Sequence, residues 1–488
     1  MGQSCAIIAP MLRRTKIVAT LGPASDDKET LCDMIRAGLD VARLNFSHGD
    51  AKDHRRRAEL LREAAEICGR EVGIMGDLQG PKIRIRRFKD HSVSLADGAK
   101  FFLDSTLGLI DGDQDGVGVA LDTLHEDVSP GDILLLNDGL ITLEVDSIDG
   151  TRIHTTVVNG GILSDHKGIN LKGGGLSAAA LTDIDKENIR LAADMQLDFL
   201  AVSFVRNGGD VEEARRLLQE AGGHGLIVAK IERTEAVQNI DEIIDASDVI
   251  MVARGDLGVE MGYAELIGIQ KKLIRKTRKA HKIVITATQM MESMIHNPIP
   301  TRAEVSDVSN AVIDGTDAVM LSGETAVGAY PAGAIAAMAE VCVGAEKFPI
   351  PTSQTSHRMQ DHFKLVDEAI AMATMYTANH MTVKAIIALT ESGSTTRWMS
   401  RIRSDMPIYA FTPHVTTSRR VAMYRGVHPV LFKIDDSSPR GLYRDVISKL
   451  LDKKLVTEGD LALLTKGDLD GVSGSTNSMT IIEIKSDQ

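Results

Sequence analysis

The chain has 488 residues, about three times the length of a typical domain, so it can form two to four domains with complete hydrophobic cores. Hydrophobic residues make up 43% and charged residues 25%, and the net charge of −13 disfavours binding to nucleic acid or to an anionic membrane surface. Four widely spaced cysteines disfavour a disulfide framework or a structural zinc site, and no apolar run is long enough to span a membrane, so we expect a cytoplasmic protein.

Short strand-like runs alternate with helical patterns through the first two thirds of the chain. Each run is nearly continuous in apolar residues, as expected for parallel strands that are covered on both faces. The predicted strands are Lys16–Thr20, Val41–Phe46, Val72–Asp77, Asp198–Ser203, Leu226–Ile231, Asp248–Ala253, Lys282–Ala287 and Asp317–Ser322. The predicted helices are Asp27–Ala37, Asp50–Cys68, Thr182–Met195, Asp210–Ala221, Thr234–Ala246, Ala264–Ala280, Thr301–Ile313 and Pro331–Glu346. Eight strand–helix pairs predict an α/β fold with a closed (β/α)8 TIM barrel over residues 15–81 and 176–346, after an N-terminal segment over residues 1–14.

Two further domains are predicted outside the barrel. Residues 82–175 are rich in Gly, Asp and alternating apolar positions, which indicates a small inserted β-barrel domain. A Pro/Ser/Thr stretch beginning at Pro349 predicts a linker, and residues 355–488 predict a C-terminal α/β domain. Its strands are expected near Ala385–Thr390, Ile408–Thr412, Val430–Phe432, Ala462–Leu464 and Thr480–Ile484.

Polar residues follow seven of the eight predicted barrel strands, at the end where barrel enzymes carry their active sites. An occasional polar residue is expected there in any barrel because loops are polar, but so large a set favours an active site. The set comprises Asn45, Ser47, Asp77, Ser203, Lys230, Glu232, Arg254, Asp256, Thr286, Thr288, Ser322 and Glu324.

Glu232 and Asp256 are carboxylates at the ends of neighbouring strands. Paired hard oxygen ligands suit Mg²⁺ or Mn²⁺, although the two could also be unrelated, solvated loop acids. Lys230 lies two residues before Glu232 and points to the same side of its strand. It could neutralise charge on a transferring phosphoryl group or an enolate oxygen. The alternative, a salt bridge with Glu232, would be costly to bury for stability alone.

A second candidate site lies in the C-terminal domain, where a loop of small hydroxyl residues joins a strand to a helix. Such a loop exposes backbone N–H groups at the helix N-terminus and can bind an anion, or it can be a plain N-cap. A loop at Gly471–Asn477 could close over the same point, which favours a phosphate site. The residues of the first loop are Thr390, Ser392, Gly393, Ser394 and Thr395.

Six long motifs give the chain a resemblance to the pyruvate kinase family from end to end. They are Thr15–Ser25 (TKIVATLGPAS), Arg43–Gly49 (RLNFSHG), Ile227–Arg233 (IVAKIER), Met251–Gly258 (MVARGDLG), Thr286–Met294 (TATQMMESM) and Met320–Ala326 (MLSGETA). The resemblance implies a barrel, a β domain that caps its mouth and a C-terminal regulatory domain. It also implies phosphoryl transfer from phosphoenolpyruvate to ADP, followed by protonation of the enolate to pyruvate, in an enzyme that is usually a homotetramer.

The resemblance also implies roles for individual residues. Glu232 and Asp256 would hold Mg²⁺, and Lys230 would stabilise the phosphoryl group and the enolate. The remaining catalytic and substrate-binding positions would be Arg43 at the phosphate, Gly255, Asp256 and Thr288 at the carboxylate end, and Ser322 and Glu324 in a proton relay with Thr288. The nucleotide contacts would be Asn45, Ser47, His48, Arg84 and Lys167.

One departure from the family concerns K⁺. In members that need this ion the third strand ends Asp-Thr-Lys-Gly-Pro-Glu, whereas here it ends with the sequence DLQGPK, from Asp77 to Lys82. The ammonium group of Lys82 can replace a bound monovalent cation and would repel K⁺. Asn45, Ser47 and Asp77 would then be remnants of a cation site, and the sequence predicts that K⁺ is not required.

A second departure concerns regulation. Members activated by fructose 1,6-bisphosphate often carry a lysine at the position of Glu391. An acid there disfavours a doubly phosphorylated sugar, while the hydroxyl-rich loop is retained. We therefore expect an activator with one phosphate, such as AMP or a sugar monophosphate.

Two other functions fit part of the pattern. Barrel lyases and aldolases also combine paired acids, Mg²⁺ and enolate chemistry, but they lack the inserted domain and have no use for ADP. A metabolite-sensing protein could keep the barrel without turnover, but Lys230, Glu232 and Thr288 are all present. Both alternatives are therefore weaker.

Overall fold

The computed structural model describes residues 12–81, 83–348, 363–402, 404–433, 439–467 and 474–485. These residues fall into two compact units, one within Met1–Leu44, Lys52–Met75 and Met290–Gln488, the other within Asn45–Ala51 and Gly76–Gln289. Every side-chain contact discussed below lies inside one of these units.

The described residues contain strands and helices in alternation. The strands are β1 (Lys16–Leu21), β2 (Val41–Asn45), β3 (Gly73–Asp77), β4 (Ser92–Leu95), β5 (Lys100–Asp104), β6 (Gly116–Gly118), β7 (Ile133–Leu136), β8 (Ile141–Asp149), β9 (Arg152–Asn159), β10 (Gly161–Ser164), β11 (Ile169–Leu171), β12 (Phe199–Val202), β13 (Leu226–Ile231), β14 (Val249–Ala253), β15 (Ile283–Ala287), β16 (Ala318–Leu321), β17 (Ala385–Leu389), β18 (Ile408–Thr412), β19 (Val427–Leu431), β20 (Leu461–Gly467) and β21 (Thr476–Glu483). The α-helices are α1 (Lys28–Ala37), α2 (Ala51–Cys68), α3 (Leu124–Asp127), α4 (Asp183–Asp194), α5 (Gly208–Glu220), α6 (Thr234–Gln238), α7 (Ile240–Ala246), α8 (Arg254–Met261), α9 (Tyr263–Lys279), α10 (Arg302–Asp314), α11 (Gly323–Ala326), α12 (Pro331–Glu346), α13 (Val366–His380), α14 (Ser394–Arg401), α15 (Val415–Val421) and α16 (Pro439–Asp452). Short 3-10 helices cover Pro23–Ser25 and Glu292–Ile295.

Eight parallel strands close into the predicted barrel, in the order β1-β16-β15-β14-β13-β12-β3-β2. Each predicted barrel strand is confirmed, and its ends differ from the structure by at most one residue. Apolar runs such as β14 and β15 are buried at every position, as expected for strands covered on both faces. This arrangement brings the carboxyl ends of the strands, where the candidate residues lie, to one rim.

Several barrel strands begin directly after a buried or half-buried aspartate that is paired with an arginine. These aspartates lie at the amino ends of their strands, opposite to the ends that carry the candidate site. The aspartates precede β2, β14 and β16, where their carboxylates face charged partners from other elements. Arginine forms bidentate or charge-assisted bonds with carboxylates and keeps its charge at all ordinary pH values. We call these contacts the strand-start pairs, and they are Asp40–Arg13 at 2.8 Å, Asp248–Arg215 at 2.9 Å and Asp317–Arg401 at 2.6 and 2.8 Å.

The segment between β3 and α4 is built from β-strands and the single-turn helix α3. It forms a six-stranded sheet in the order β11-β7-β8-β9-β5-β6 and a two-stranded sheet of β10 and β4. Its core is apolar and contains fully buried side chains from several of these strands, including Leu103, Val117 and Leu134. The β character predicted for the insertion is thus present.

The C-terminal residues form a five-stranded sheet in the order β19-β18-β17-β20-β21, in which β21 runs antiparallel to β20. The predicted strands of this domain are present, and the predicted linker at Pro349–Ser353 lies outside the described residues. Among the described helices, none combines the length and the apolar character that crossing a bilayer requires.

Two barrel helices longer than a single turn differ from the sequence-based prediction. The predicted helix Thr234–Ala246 is divided into α6 and α7 at Asn239, whose side chain donates to the carbonyl of Arg206 at 2.9 Å. This bond ties the junction of the two helices to the segment after β12. The helix α8 was not predicted, because its sequence RGDLGVEM contains two glycines and has low intrinsic helix propensity. It begins directly where β14 ends.

Candidate active site

Lys230 lies at the centre of a buried polar cluster at the end of β13. Its ammonium nitrogen lies 2.9 Å from Glu232 Oε1, 3.2 Å from Asp77 Oδ1 and 2.6 Å from Ser203 Oγ. The Ser203 hydroxyl in turn donates to the carbonyl of Leu78 at 2.7 Å. The salt bridge with Glu232 that the sequence left open as an alternative is therefore present, within a larger set of contacts.

Glu232 is held by a second contact and lies near Asp256. The backbone N–H of Phe204 donates to Glu232 Oε2 at 2.9 Å, so the orientation of this carboxylate is fixed from both sides. Burial, and next the charge of Glu232, raise the pKa of Asp256 to about 7, although Lys230 acts in the opposite direction. The charge of Glu232 thus acts on Asp256, so the two carboxylates are not unrelated loop acids.

The charge balance of this cluster tests whether a divalent cation fits. Among the described residues, the ammonium of Lys230 contacts the carboxylates of Asp77 and Glu232, and the charge of Glu232 also acts on Asp256, so several carboxylates meet in a buried place. A hard divalent cation suits such a group of carboxylates, and Mg²⁺ commonly uses one or two protein carboxylates and leaves its other positions to water and substrate phosphate. Within the described ranges, no group of three or more His, Cys, Asp or Glu side chains could hold a metal by itself. The pair of Glu232 and Asp256 fits Mg²⁺ in this shared mode.

The first turn of α8 carries Gly255 and Asp256. Backbone N–H groups in the first turn of a helix have no partner within the helix and carry partial positive charge. One of them is used within the protein, since the Gly255 N–H donates to Thr288 Oγ1 at 2.9 Å. This bond links Thr288 to the first turn of α8, which also carries Asp256, and the linear sequence could not show it.

Thr288 follows β15 in an unusual backbone conformation. Its φ is +69°, and φ of the next residue, Gln289, is +52°. Its hydroxyl donates to the carbonyl of Ala287 at 2.6 Å. A β-branched residue rarely adopts positive φ, and such strain concentrates at functional sites.

Arg43, Ser322 and Glu324 lie at the ends of β2 and β16. Arg43 Nη1 donates to Thr20 Oγ1 at 3.1 Å, across the paired strands β1 and β2. Glu324 is buried and accepts backbone N–H bonds from Ser322 at 2.6 Å and from Met291 at 3.1 Å. Burial raises the pKa of Glu324, partly offset by these bonds, so its carboxyl group holds a proton more strongly than an exposed one.

Asn45, Ser47 and His48 lie in the turn between β2 and α2. Asn45 Oδ1 accepts from the Ser47 N–H at 3.1 Å, and the N–H of His48 donates to the Asn45 carbonyl at 3.2 Å. Asp77 lies at the end of β3, where its carbonyl accepts from Phe46 N–H at 3.0 Å. The turn and Asp77, which the sequence predicts to be remnants of a cation site, are thus adjacent.

Two further residues bear on that cation site. Leu78 is buried and offers no side-chain oxygen. Lys82, the predicted internal cation, lies outside the described residues.

The structure brings Arg84 and Lys167 together at the base of the inserted segment. Arg84 pairs with Gly168 in an isolated antiparallel bridge, and the N–H of Ile85 donates to the Lys167 carbonyl at 2.9 Å. Two cationic side chains distant in sequence therefore belong to adjacent backbone segments.

The hydroxyl-rich loop of the C-terminal domain ends at the N-terminus of α14. Gly393 is the residue before this helix, with a φ of +84°, and its N–H donates to Thr390 Oγ1 at 2.9 Å. The Ser394 hydroxyl donates to Asp367 Oδ2 at 2.8 Å, and Ser392 is exposed. The loop therefore ends at a helix N-terminus and carries one exposed serine.

The described end of the second loop, residues 474–477, contacts the first loop through Thr476. The hydroxyls of Thr395 and Thr476 share a hydrogen bond of 2.7 Å, while residues 471–473 lie outside the described residues. On the other side of the first loop, Glu391 Oε2 lies 2.6 Å from His414 Nε2. The acid that departs from the family pattern is thus paired within the protein.

Sequence reasoning placed Ser203 and Arg254 at the rim without giving either a role. Ser203 contacts Lys230, and the guanidinium of Arg254 contacts the backbone around Thr288. Gln270, on α9, accepts a hydrogen bond from Arg254 and is not among the residues predicted from the sequence. A buried glutamine within an amphipathic helix gives no sequence signal for a site.

Comparison with known proteins gives concordant matches over most of the chain. Residues 12–335 match the family model described as pyruvate kinase, barrel domain, and residues 368–482 match pyruvate kinase, alpha/beta domain. Pyruvate kinase II of Salmonella typhimurium is 54% identical over 480 residues, which cover 97% of this chain and 99% of that protein. Pyruvate kinases of Haemophilus influenzae and of Buchnera aphidicola from Schizaphis graminum are 52% and 50% identical, also over 97% of this chain and 99% of each relative.

Proposed function

This chain belongs to the pyruvate kinase family, and we propose that its transfer of a phosphoryl group from phosphoenolpyruvate to ADP takes place around Lys230 and does not require K⁺. The observation that carries the proposal is the contact of the buried Lys230 ammonium with the carboxylates of Glu232 and Asp77. A lysine held in this way can exchange its carboxylate contacts for the oxygens of a phosphoryl group that carries more charge in the transition state.

Glu232 and Asp256 would hold the divalent cation, which supplies Lewis-acid polarisation of phosphoryl and enolate oxygens when bound. The chain's own residues orient the substrate. The N–H groups in the first turn of α8 and the favourable end of its dipole face the carboxylate of phosphoenolpyruvate, and Arg43 contacts its phosphate. Asn45, Ser47, His48, Arg84 and Lys167 contact the nucleotide.

Once the phosphoryl group has left, the enolate must gain a proton at its methylene carbon. Thr288 delivers or relays this proton from its hydroxyl, whose position is fixed by Gly255 and Ala287. Ser322 and the buried Glu324, whose pKa is raised by burial, would supply Thr288 with protons. The group that has given up its proton then takes up another proton from solvent.

The direct test is pyruvate formation from phosphoenolpyruvate and ADP with Mg²⁺, once in K⁺ and once in Na⁺ buffer. We expect equal rates, because Lys82 supplies the positive charge and Leu78 offers no oxygen ligand. Lys82→Glu should create a requirement for a monovalent cation, with Lys82→Gln as the matched control without an added acid. A large stimulation of the unmodified enzyme by K⁺ would refute the role of Lys82 and leave the kinase activity itself standing.

We also propose that the loop at Thr390–Thr395 binds the phosphate of an activator that carries one phosphate, AMP or a sugar monophosphate. The support is the N-terminus of α14, the exposed Ser392 and the acid at Glu391. Such compounds should lower the KM for phosphoenolpyruvate. Ser392→Asp should abolish this response by charge repulsion, whereas Ser392→Asn, similar in size but neutral, should retain most of it. An unchanged KM across a panel of these compounds would contradict the proposal.

The homotetramer and the cytoplasmic location stay predictions of the sequence. The subunit number can be measured by sedimentation of the purified enzyme.

A further inference from the structure

Arg254 is a buried arginine at the first position of α8, and its guanidinium contacts two backbone carbonyls. Its Nε donates to the carbonyl of Ala287 at 3.1 Å, and its Nη2 donates to the carbonyl of Thr288 at 2.7 Å. The planar fork of arginine can bind two such acceptors in one fixed geometry, which a lysine cannot reproduce.

These two carbonyls flank the strained part of the active site. They belong to the last residue of β15 and to Thr288, whose φ of +69° is followed by a φ of +52° at Gln289. A strained residue persists only where its surroundings fix it through several contacts. Here Arg254 bonds both carbonyls, and the next residue, Gly255, donates its N–H to the Thr288 hydroxyl at 2.9 Å.

Gln270 holds the arginine from the other side. This side chain, on α9, is buried, and its Oε1 accepts from Arg254 Nη1 at 3.3 Å. A guanidinium bonded on three edges has little rotational freedom, so its position is set by α9 as well as by α8.

We propose that Arg254 is a positioning residue that holds Thr288 in its left-handed conformation, and that Gln270 orients Arg254 for this purpose. The proposal rests on the proton-transfer role of Thr288 in the proposed function. Arg254 acts through Thr288, so its loss should slow protonation of the enolate more than it weakens binding of phosphoenolpyruvate or ADP.

The test compares the full-length enzyme with Arg254→Lys in two assays with Mg²⁺. One follows pyruvate formation from phosphoenolpyruvate and ADP. The other follows exchange of the pyruvate methyl hydrogens with deuterated solvent in the presence of ATP, by proton NMR, which reports removal and return of the proton at that carbon. We expect a fall of about 10- to 100-fold in kcat and in the exchange rate, the range of a misplaced catalytic group, with changes of less than about threefold in either KM.

A double-mutant cycle separates positioning from a general structural effect. Thr288→Ala removes the group on which Arg254 is inferred to act, so adding Arg254→Lys to it should lower kcat by less than about twofold further. Multiplication of the two single effects would overturn the proposal, and so would a loss that appears in KM alone.

Two further variants keep the test informative if Arg254→Lys folds poorly. Gln270→Leu keeps the arginine but removes its orienting oxygen and should reduce kcat about 3- to 10-fold, while Gln270→Glu should recover at least half of that loss. An equal fall in kcat for Gln270→Leu and Gln270→Glu would overturn the proposal that Gln270 orients Arg254.

The matched control is Arg215→Lys. This arginine bonds the carbonyl of Ala246 at 2.7 Å and Asp248 near the start of β14, and it should change stability without the kcat effect. A fall in kcat as large as that of Arg254→Lys would overturn the proposal. Activity and exchange in the unmodified enzyme test the proposed function separately, so failure of one is distinguishable from failure of the other.

Discussion

The buried ion pair between Asp317 and Arg401 offers the most quantitative test of how the chain is stabilised. Both side chains are 2% exposed, and the guanidinium binds the carboxylate through two bonds of 2.6 and 2.8 Å. Removing one partner leaves the other charge buried without its counter-charge, which typically costs about 3–5 kcal/mol. We therefore expect Arg401→Met and Asp317→Val each to lower the free energy of unfolding by that amount.

The double variant should behave differently. Replacing both members of a buried ion pair by apolar residues is often close to neutral, because the desolvation penalty of the charges disappears together with their attraction. Asp317→Val combined with Arg401→Met should thus be far more stable than the sum of the two single losses. A difference of several kcal/mol between the double variant and that sum measures the coupling of the pair.

The chain contains its own reporter for this experiment. Trp398 is the single tryptophan, lies on α14 three residues before Arg401, and is nearly buried. Its fluorescence during urea unfolding follows the helix that carries the arginine. With a urea dependence of about 2 kcal/mol per molar, a loss of about 4 kcal/mol moves the midpoint by roughly 2 M.

The control is the exposed pair of Arg36 and Asp33, 3.0 Å apart, for which Arg36→Met should change stability by less than about 1 kcal/mol. Midpoint shifts of this small size for the Asp317 and Arg401 variants, or strictly additive losses in the double variant, would refute the reasoning.

Two other predictions concern single charges. Lys230→Met should lower kcat about 10³-fold. One charge about 4 Å from a phosphoryl oxygen, at an effective dielectric constant of 20, contributes about 4 kcal/mol. Steady-state kinetics at saturating Mg²⁺ measures this effect, and a fall in kcat of less than about tenfold would contradict it. Burial raises the pKa of Asp40, but Arg13, Lys16 and Arg70 together lower it to about 2. The stabilisation by Asp40 is therefore present above the unfolded value of 3.8 and is lost as the pH falls towards 2. Asp40→Asn should cost about 2.5 kcal/mol at pH 7 and progressively less below pH 4, measured by urea unfolding at each pH; an equal cost at pH 7 and pH 3 would contradict the linkage.

Much of the barrel could be predicted because its strands are apolar on both faces. Runs such as Leu226–Ile231 are almost continuously apolar and lack the alternation of a strand with one face in water. Polar residues bound such runs, so the ends of the strands are visible in the sequence. The rule that strand ends converge then located Lys230 and Glu232 correctly at one rim.

The contacts within the site could not be predicted in the same way. The approach of Lys230 to Asp77 depends on strand order, because β3 and β13 are far apart in sequence and come close only through the barrel. The helix α8 forms against its local propensity, since tertiary packing outweighs the two glycines. The role of Arg254 depends on the positive φ of Thr288. Neither the identity of this residue nor that of its sequence neighbours predicts this backbone conformation.

The strand-start pairs give the barrel a way to adapt to temperature without altering its chemistry. They lie at the opposite ends of the strands from Lys230, and a strand of five residues separates the two rims by roughly 16 Å. The desolvation penalty of buried ions falls as temperature rises, so the net contribution of such pairs grows in hot environments. Exchange of an aspartate–arginine pair for apolar residues, or the reverse, would therefore tune the working temperature of the enzyme while the rim that carries Lys230 stays the same.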